Sequence, residues 1–455
     1  MPQAINPTTG VALEPVPAHT PEEVDRILAN AVAAYEKWRT TSFSERSDLL
    51  RRVAALLREN VGDLGPLMTE EMGKPAKEAR GEVMKSALCA EHYADHAAAY
   101  LQREDISSDA ARSYVQYLPL GPVLGILPWN APFWLAFRFC APSLMAGNTC
   151  VMKHDPHVPA CSKAIEEVFR NAGAPEYLFQ HLLLETPEVE GVIRDPRIQA
   201  VSFTGSAKGG AAVAGIAASE VKPSVLELGG SDPCIVLADA DLEKAADVIT
   251  TSRIINAGQS CIAAKRLIVE ESVHDELAAK LKERLAALKL GDPSKEETDV
   301  GPIARADLRD ELHRQVRETI EAGAECFLGG ELSEGDGYFY PPTLLTEVTP
   351  EMTAFREETF GPVAVMIRAR DEAHALELAN DTPYGLGAGV WTSTERGEAM
   401  AREIVAGQVA VNGIVKTDPR LPSGGVKRSG YGRELGPHGI REFVNAQQVW
   451  VGPAG

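Results

Sequence analysis

The sequence predicts an α/β protein of two lobes, each built on an open parallel sheet with helices on both faces. Two observations carry this expectation. Short β-branched runs alternate with helical stretches, once over 149–228 and again over 241–405, the pattern of repeated strand–helix units. The chain also has 455 residues, 44% of them hydrophobic, enough for two or three domains at roughly 100–200 residues each.

Residues 21–60 are predicted helical because Ile27, Ala31, Ala34 and Trp38, then Leu49, Leu50, Val53, Leu56 and Leu57, recur at helical spacing. A third helix is expected over 77–101. Residues 113–118 and 123–127 read as strands punctuated by Gly121 and Pro122. The uncharged run 118–137 contains Pro119, Pro122, Pro128 and Pro132. Proline inside a helix costs about 3 kcal/mol, so the run reads as buried strands and turns, not as a membrane span. Strands follow at 149–153, 200–204 and 224–228, with helices at 160–171 and 208–219 between them. The second set is helix 241–256, strand 266–270, helices 273–288 and 306–322, strands near 343–348 and 363–369, helix 371–380, strand 387–391 and helix 395–405. There is no internal repeat.

A formal net charge of -20 repels phosphate backbones and argues against a nucleic-acid partner. The cysteines, at 89, 140, 150, 161, 234, 261 and 326, are odd in number and form no C-x-x-C pair. A disulfide framework or structural zinc site is therefore not expected, no metal is assigned, and free thiols fit a reducing cytoplasm. The opening residues MPQAINPTTG lack the pattern of a signal peptide.

Four short motifs suggest chemistry. Gly258-Gln259-Ser260-Cys261 ends a loop after a helix. A cysteine there is either a nucleophile, its thiolate favoured by a polar loop, or a buried thiol. Glu227, in Leu226-Glu227-Leu228-Gly229-Gly230, is an acid in an apolar strand. Such a group is either ion-paired or raised in pKa to act as a base. Phe203-Thr204-Gly205-Ser206-Ala207-Lys208-Gly209 is a strand-to-helix turn of the kind that binds phosphate, although it lacks the G-x-G-x-x-G spacing. Asn130, in Pro128-Trp129-Asn130, is either a turn residue or an oxyanion donor.

Taken in order, Pro-Trp-Asn, Lys153, Phe-Thr-Gly-Ser, Glu-Leu-Gly-Gly, Gly-Gln-Ser-Cys and Glu358-Thr359-Phe360-Gly361-Pro362 resemble the aldehyde dehydrogenase superfamily over nearly the whole chain. Asn6-Pro7-Thr8-Thr9-Gly10, Gly73-Lys74-Pro75 and Gly424-Gly425-Val426-Lys427-Arg428-Ser429-Gly430 join that resemblance. It implies a Rossmann-like cofactor domain (1–107 and 121–228), a catalytic domain (229–435) and a small β oligomerisation arm (108–120 and 436–455) serving a homodimer or homotetramer. It implies that Cys261 attacks an aldehyde, that Asn130 and the Cys261 N–H hold the oxyanion, and that Glu227 activates water to hydrolyse the thioester. NAD or NADP is then bound by Trp129, Lys153, Gly205, Ser206, Leu228, Glu358 and Phe360, with the glycine at 205 admitting the pyrophosphate.

Two positions depart from the common pattern. Many NAD-specific members carry Glu three residues after the lysine, where this chain has Pro156, so use of either cofactor is expected, with Asp155 the remaining acid nearby. Ser423 replaces an aromatic residue and is expected to widen and wet the substrate mouth. Arg138, with Trp134 one helical turn before it, resembles an arginine of succinate-semialdehyde dehydrogenases, and bidentate carboxylate recognition suits arginine. The alternative is a structural ion pair. A second arginine found in some relatives, six residues before the nucleophile, is here Ile255. These features resemble the short bacterial branch and imply oxidation of succinate semialdehyde. A broader aldehyde specificity and a non-redox thiol hydrolase are the competing readings.

Overall fold

A computed structural model describes residues 3–453, so the outer ends of the expected 1–107 and 436–455 segments lie outside the described residues. Two parallel sheets and one antiparallel arm organise the chain. The first sheet orders its strands Gly430–Tyr431, Ser224–Glu227, Ala200–Thr204, Pro122–Leu127, Thr149–His154, Phe179–His181. All neighbours are parallel except the Gly430–Tyr431 edge. The chain starts at the centre with Pro122–Leu127, builds outward to Phe179–His181, then returns to the other side of the centre. Such a switch point opens a crevice at the carboxyl ends of the strands. Leu127, Thr204 and Glu227 all end there, next to the first three motifs along the chain.

The second sheet runs Glu325–Leu328, Thr343–Thr346, Val363–Ala369, Arg266–Glu270, Pro233–Val236, Gly387–Trp391, Gln408–Val411. Only its first pair is antiparallel. The arm pairs Glu104–Asp105 with Arg112–Pro119, and Arg112–Pro119 with Val444–Val451, from Val444↔Pro119 to Val451↔Arg112.

The run 118–137 is only half strand. From Pro132 it is the Pro132–Ala146 helix, every residue of which is buried. Pro132 sits in the first turn, where a missing N–H costs nothing. A helix buried all round lacks the amphipathic stripe by which helices are recognised. The Val61–Met72 helix was also not anticipated, nor were Phe179–His181, Pro233–Val236, Glu325–Leu328 and Gln408–Val411. The helix expected over 241–256 stops at Ile254, and that over 395–405 at Met400. Against the Pro132–Ala146 helix lie the Phe43–Glu59 and Ala76–Tyr100 helices, and Phe137, Phe169 and Phe179 stack in series at 5.7 and 4.6 Å. Among the described residues no helix is long and apolar enough to cross a membrane.

Candidate active site

Cys261 sits at the end of a backbone reversal. After the Leu242–Ile254 helix, Asn256, Ala257 and Gly258 all take positive φ, at 55°, 51° and 75°. A left-handed residue with a β-carbon costs roughly 1–2 kcal/mol, so neighbouring contacts must hold this turn. The Asn256 N–H donates to Glu78 Oε2 at 2.7 Å and its Nδ2 to the Asn130 carbonyl at 2.9 Å. Arg253 Nη2 donates to Gly258 O at 2.7 Å. A β-carbon at 258 would lie 2.3 Å from Gly361 O, so only glycine fits. Lys265 Nζ then donates to Ser260 O at 2.8 Å and Cys261 O at 2.6 Å. The backbone at Cys261 is fixed, and the residue as a whole is partly buried. Burial pushes the thiol up to about 11, against Lys265 and Arg138. The expected lowering by a polar loop is absent because desolvation outweighs both cations.

Asn130 lies against this loop, its Nδ2 donating to Gln259 O at 3.1 Å. Its own carbonyl receives Lys74 Nζ at 2.9 Å. Lys74 is ion-paired with Glu82, whose Oε1 accepts the Phe133 and Trp134 N–H groups at 2.9 and 3.1 Å. One side chain of the Ala76–Tyr100 helix thus caps the helix that begins two residues after Asn130. Lys74 belongs to the Gly73-Lys74-Pro75 motif just before the Ala76–Tyr100 helix, whereas Glu78 and Glu82, four apart on one helical face, carry no motif. Lys265, four residues after Cys261, was legible only by position. Nothing in the sequence marked Glu434.

Glu227 is both ion-paired and raised in pKa. Arg138 Nη2 lies 3.2 Å from Glu227 Oε2 and 2.5 Å from Glu434 Oε2. Burial holds the Glu227 carboxyl well above the usual carboxylate range, with Arg138 opposing and Glu434 adding to the shift. Among the described residues Glu227 Oε1 has no hydrogen-bond partner. For Arg138 the structure favours the ion pair over open carboxylate recognition, since its charge is shared between two acids. Ser423 is buried, not at a wet mouth: it exchanges backbone hydrogen bonds with Glu434 and lies 3.5 Å from Arg138. Arg138→Ala is therefore expected to lower thermal stability by roughly 3–5 kcal/mol, the usual cost of stranding a buried partner. It should reduce oxidation of charged and uncharged aldehydes alike. Calorimetry and kinetics on both substrates check this; a loss confined to charged aldehydes would contradict it.

On the other side of Cys261, Glu358 Oε1 accepts the Gly230 N–H at 3.2 Å and pairs with Lys265 at 3.2 Å. A β-carbon at Gly229 would lie 2.3 Å from Glu358 Oε2, so the glycine pair makes room for this carboxylate. Trp129 and Phe360 meet edge to face at 6.1 Å. Lys153 is buried at the end of its strand, and burial pushes its amine down. Pro156 lies in the next turn, where Asp155 Oδ1 takes both the His157 N–H and Nδ1, at 3.0 and 2.9 Å.

Two expectations change here. A β-carbon at Gly205 would strike the Phe203 ring at 2.8 Å, as would one at Gly209, so packing on Phe203 already demands both glycines. The Gly205 N–H is also used, donating to Glu227 O at 3.0 Å. The anion-binding capacity of the turn therefore lies with the start of the Ala207–Ser219 helix, where Ser206 caps the Gly209 N–H at 3.1 Å. The Leu228 side chain packs over Gly210, where a β-carbon would come within 2.5 Å of it. The Leu228 backbone N–H is used as well, donating to Ser429 O at 3.0 Å.

A buried ammonium, a helix N-terminus, a carboxylate cradled by glycines and two aromatic rings suit the ribose, pyrophosphate and ring of a nicotinamide dinucleotide. One grouping of metal-ligand types, His274, Asp275 and Glu347, is crossed by Arg368, which pairs with both acids.

Comparison with known proteins agrees with this geometry. The chain is 48% identical over 98% of its length to a probable succinate-semialdehyde dehydrogenase [NADP(+)] of Synechocystis, covering 99% of that protein. It is 45% identical to the succinate semialdehyde dehydrogenase [NAD(P)+] Sad of Escherichia coli, over 98% of this chain and 97% of that one. The solved succinic semialdehyde dehydrogenase of Streptococcus pyogenes, in complex with NADP+, superposes with a TM-score of 0.97 at 35% identity, covering 99% of this chain and 100% of that one. The aldehyde dehydrogenase family profile matches residues 2–449. A cysteine loop pinned beside a side-chain amide, a buried acid and a dinucleotide crevice thus place the chain in the aldehyde dehydrogenase family.

Proposed function

We propose that the protein oxidises succinate semialdehyde, or a closely similar semialdehyde acid, to the dicarboxylate with NAD+ or NADP+. The observation that carries the reading is the Cys261 loop locked between the Asn130 amide and Lys265, next to buried Glu227. Cys261 sulfur attacks the aldehyde carbon to give a thiohemiacetal. Asn130 Nδ2 and the Cys261 N–H hold the oxyanion, and one such donor is typically worth about 10²–10³ in rate. A nicotinamide dinucleotide, held by Lys153, Glu358, Trp129 and Phe360, would supply the hydride acceptor, and loss of hydride from the aldehyde carbon would leave a thioester on Cys261. Glu227 then removes a proton from water as it attacks the thioester, releasing acid and free thiol.

Lys153 and Glu358 hold the two riboses, Trp129 and Phe360 flank the nicotinamide, and the turn at Gly205 and Ser206 leads into the helix that faces the pyrophosphate. Trp134 lines the substrate end, and Arg138 sets the charge of Glu227 there. The six-stranded sheet serves as cofactor domain and the seven-stranded sheet as catalytic domain. The arm, with Leu118 and Trp450 exposed, docks a second copy in a cytoplasmic homodimer or homotetramer. A thiol hydrolase would need Cys261 and Glu227 but has no use for the Glu358 cradle.

The test is a set of kcat/KM values for succinate semialdehyde and uncharged aldehydes with both cofactors. Reduced nicotinamide should appear in step with acid, fastest from the semialdehyde acid. With Pro156 in place of a ribose-binding acid, and Asp155 tied to His157, discrimination between NAD and NADP should stay below about a thousandfold, or about 4 kcal/mol. Hydrolysis without cofactor reduction, or a larger preference for NAD, would contradict the reading.

A further inference from the structure

A semialdehyde acid brings a carboxylate into the site, and that charge needs a cation not already spent. Arg138 is shared between Glu227 and Glu434. Arg253 is used on the carbonyls of Gly258 and Ala264. Lys265 holds two carbonyls and Glu358. Position 255 is an isoleucine. Lys85, on the Ala76–Tyr100 helix, differs from all of these. Its amine stands 4.0 Å over the Trp134 ring and donates to Thr417 Oγ1 at 2.8 Å. Among the described residues it forms no ion pair. An ammonium has three donors, so two remain for a ligand.

We propose that Lys85 is the specificity-determining residue that receives the far carboxylate of the substrate, with Thr417 and the Trp134 ring holding its amine in place. This rests on the semialdehyde reading above. Trp134 lies four residues from Asn130 and four from Arg138, on the helix that carries the reaction centre's edge. Lys85 and Arg138 are close enough to perturb one another, and so are Arg138 and Cys261. The ring face favours a cation above it, which keeps the amine poised without neutralising it. Burial and Arg138 push the Lys85 amine down to about 8, while Glu82, Cys89 and Asp418 oppose them. An arriving carboxylate reverses that balance by favouring the charged form.

The experiment compares wild type, Lys85→Met, Lys85→Arg and Thr417→Val on succinate semialdehyde and on butanal. In Lys85→Met the KM for the semialdehyde acid should rise roughly 10- to 100-fold, the usual loss for a hydrogen bond to a charged group, with a much smaller change for butanal. Lys85→Arg should restore most of the preference, and Thr417→Val should weaken it in part. In wild type the semialdehyde KM should climb as pH rises through 8 and the free amine loses its proton; in Lys85→Arg it should stay flat over that range. A wild type that prefers the semialdehyde acid alongside a Lys85→Met that keeps the preference overturns the inference alone. Equal KM changes for both substrates do the same. A wild type that treats the two substrates alike overturns the semialdehyde reading and this inference together.

Discussion

Cys261→Ser is expected to slow aldehyde oxidation by at least about 10⁴-fold, on the scale seen when a covalent enzyme loses its nucleophile. A hydroxyl is a far weaker nucleophile than a thiolate at neutral pH. The loss should not come from misfolding. The loop is fixed by backbone contacts, namely Arg253 on Gly258 O and Lys265 on the carbonyls of Ser260 and Cys261. Dinucleotide affinity should be retained as well, because the Glu358 cradle is built from Gly229, Gly230 and Lys265. Steady-state rates, with cofactor binding measured by calorimetry, separate these outcomes. Substantial oxidation by the serine variant would remove Cys261 from the mechanism.

Glu227→Gln is expected to cut steady-state turnover by about 10²–10⁴-fold, the range for loss of a general base. It should leave the first oxidation intact. Glutamine is close in shape to glutamate and can still accept from Arg138, and the Arg138–Glu434 pair persists. Stopped-flow mixing should show a burst of about one reduced cofactor per active site and then near-silence, since acyl-enzyme accumulates when deacylation is slowed. The wild type carries the matching pH dependence. Burial raises both Glu227 and the Cys261 thiol. Each works in its ionised form, so the rate should climb with pH from 6 to 9. A rate that falls over that interval would contradict the assigned base.

The residues proposed to meet substrate or cofactor are the easiest to read from sequence. Their chemistry requires short glycine-containing motifs, and the α/β alternation orders those motifs along the chain. The carboxyl edge of the first sheet then brings them together. What supports them was harder to see. The Pro132–Ala146 helix is buried on every side, so no stripe of polar residues announced it. Glu434 contacts Arg138 across almost 300 positions of chain, and no local pattern connects them. Glu78 and Glu82 share one helical face, yet such charges read as a solvated surface until the fold turns them inward. Gly205 shows a different limit. Its motif was visible, but the Phe203 ring explains its missing side chain as well as a phosphate does.

In the proposed reaction an acyl group passes through the sulfur of Cys261 before Glu227 sends water to it. Intact-mass spectrometry of Glu227→Gln, mixed with succinate semialdehyde and NADP+ and then quenched in acid, examines this directly. The protein mass should increase by one succinyl group, located by peptide mapping on Cys261 and removable by hydroxylamine. Burst formation of reduced cofactor with no adduct, or with the adduct on another residue, would contradict it.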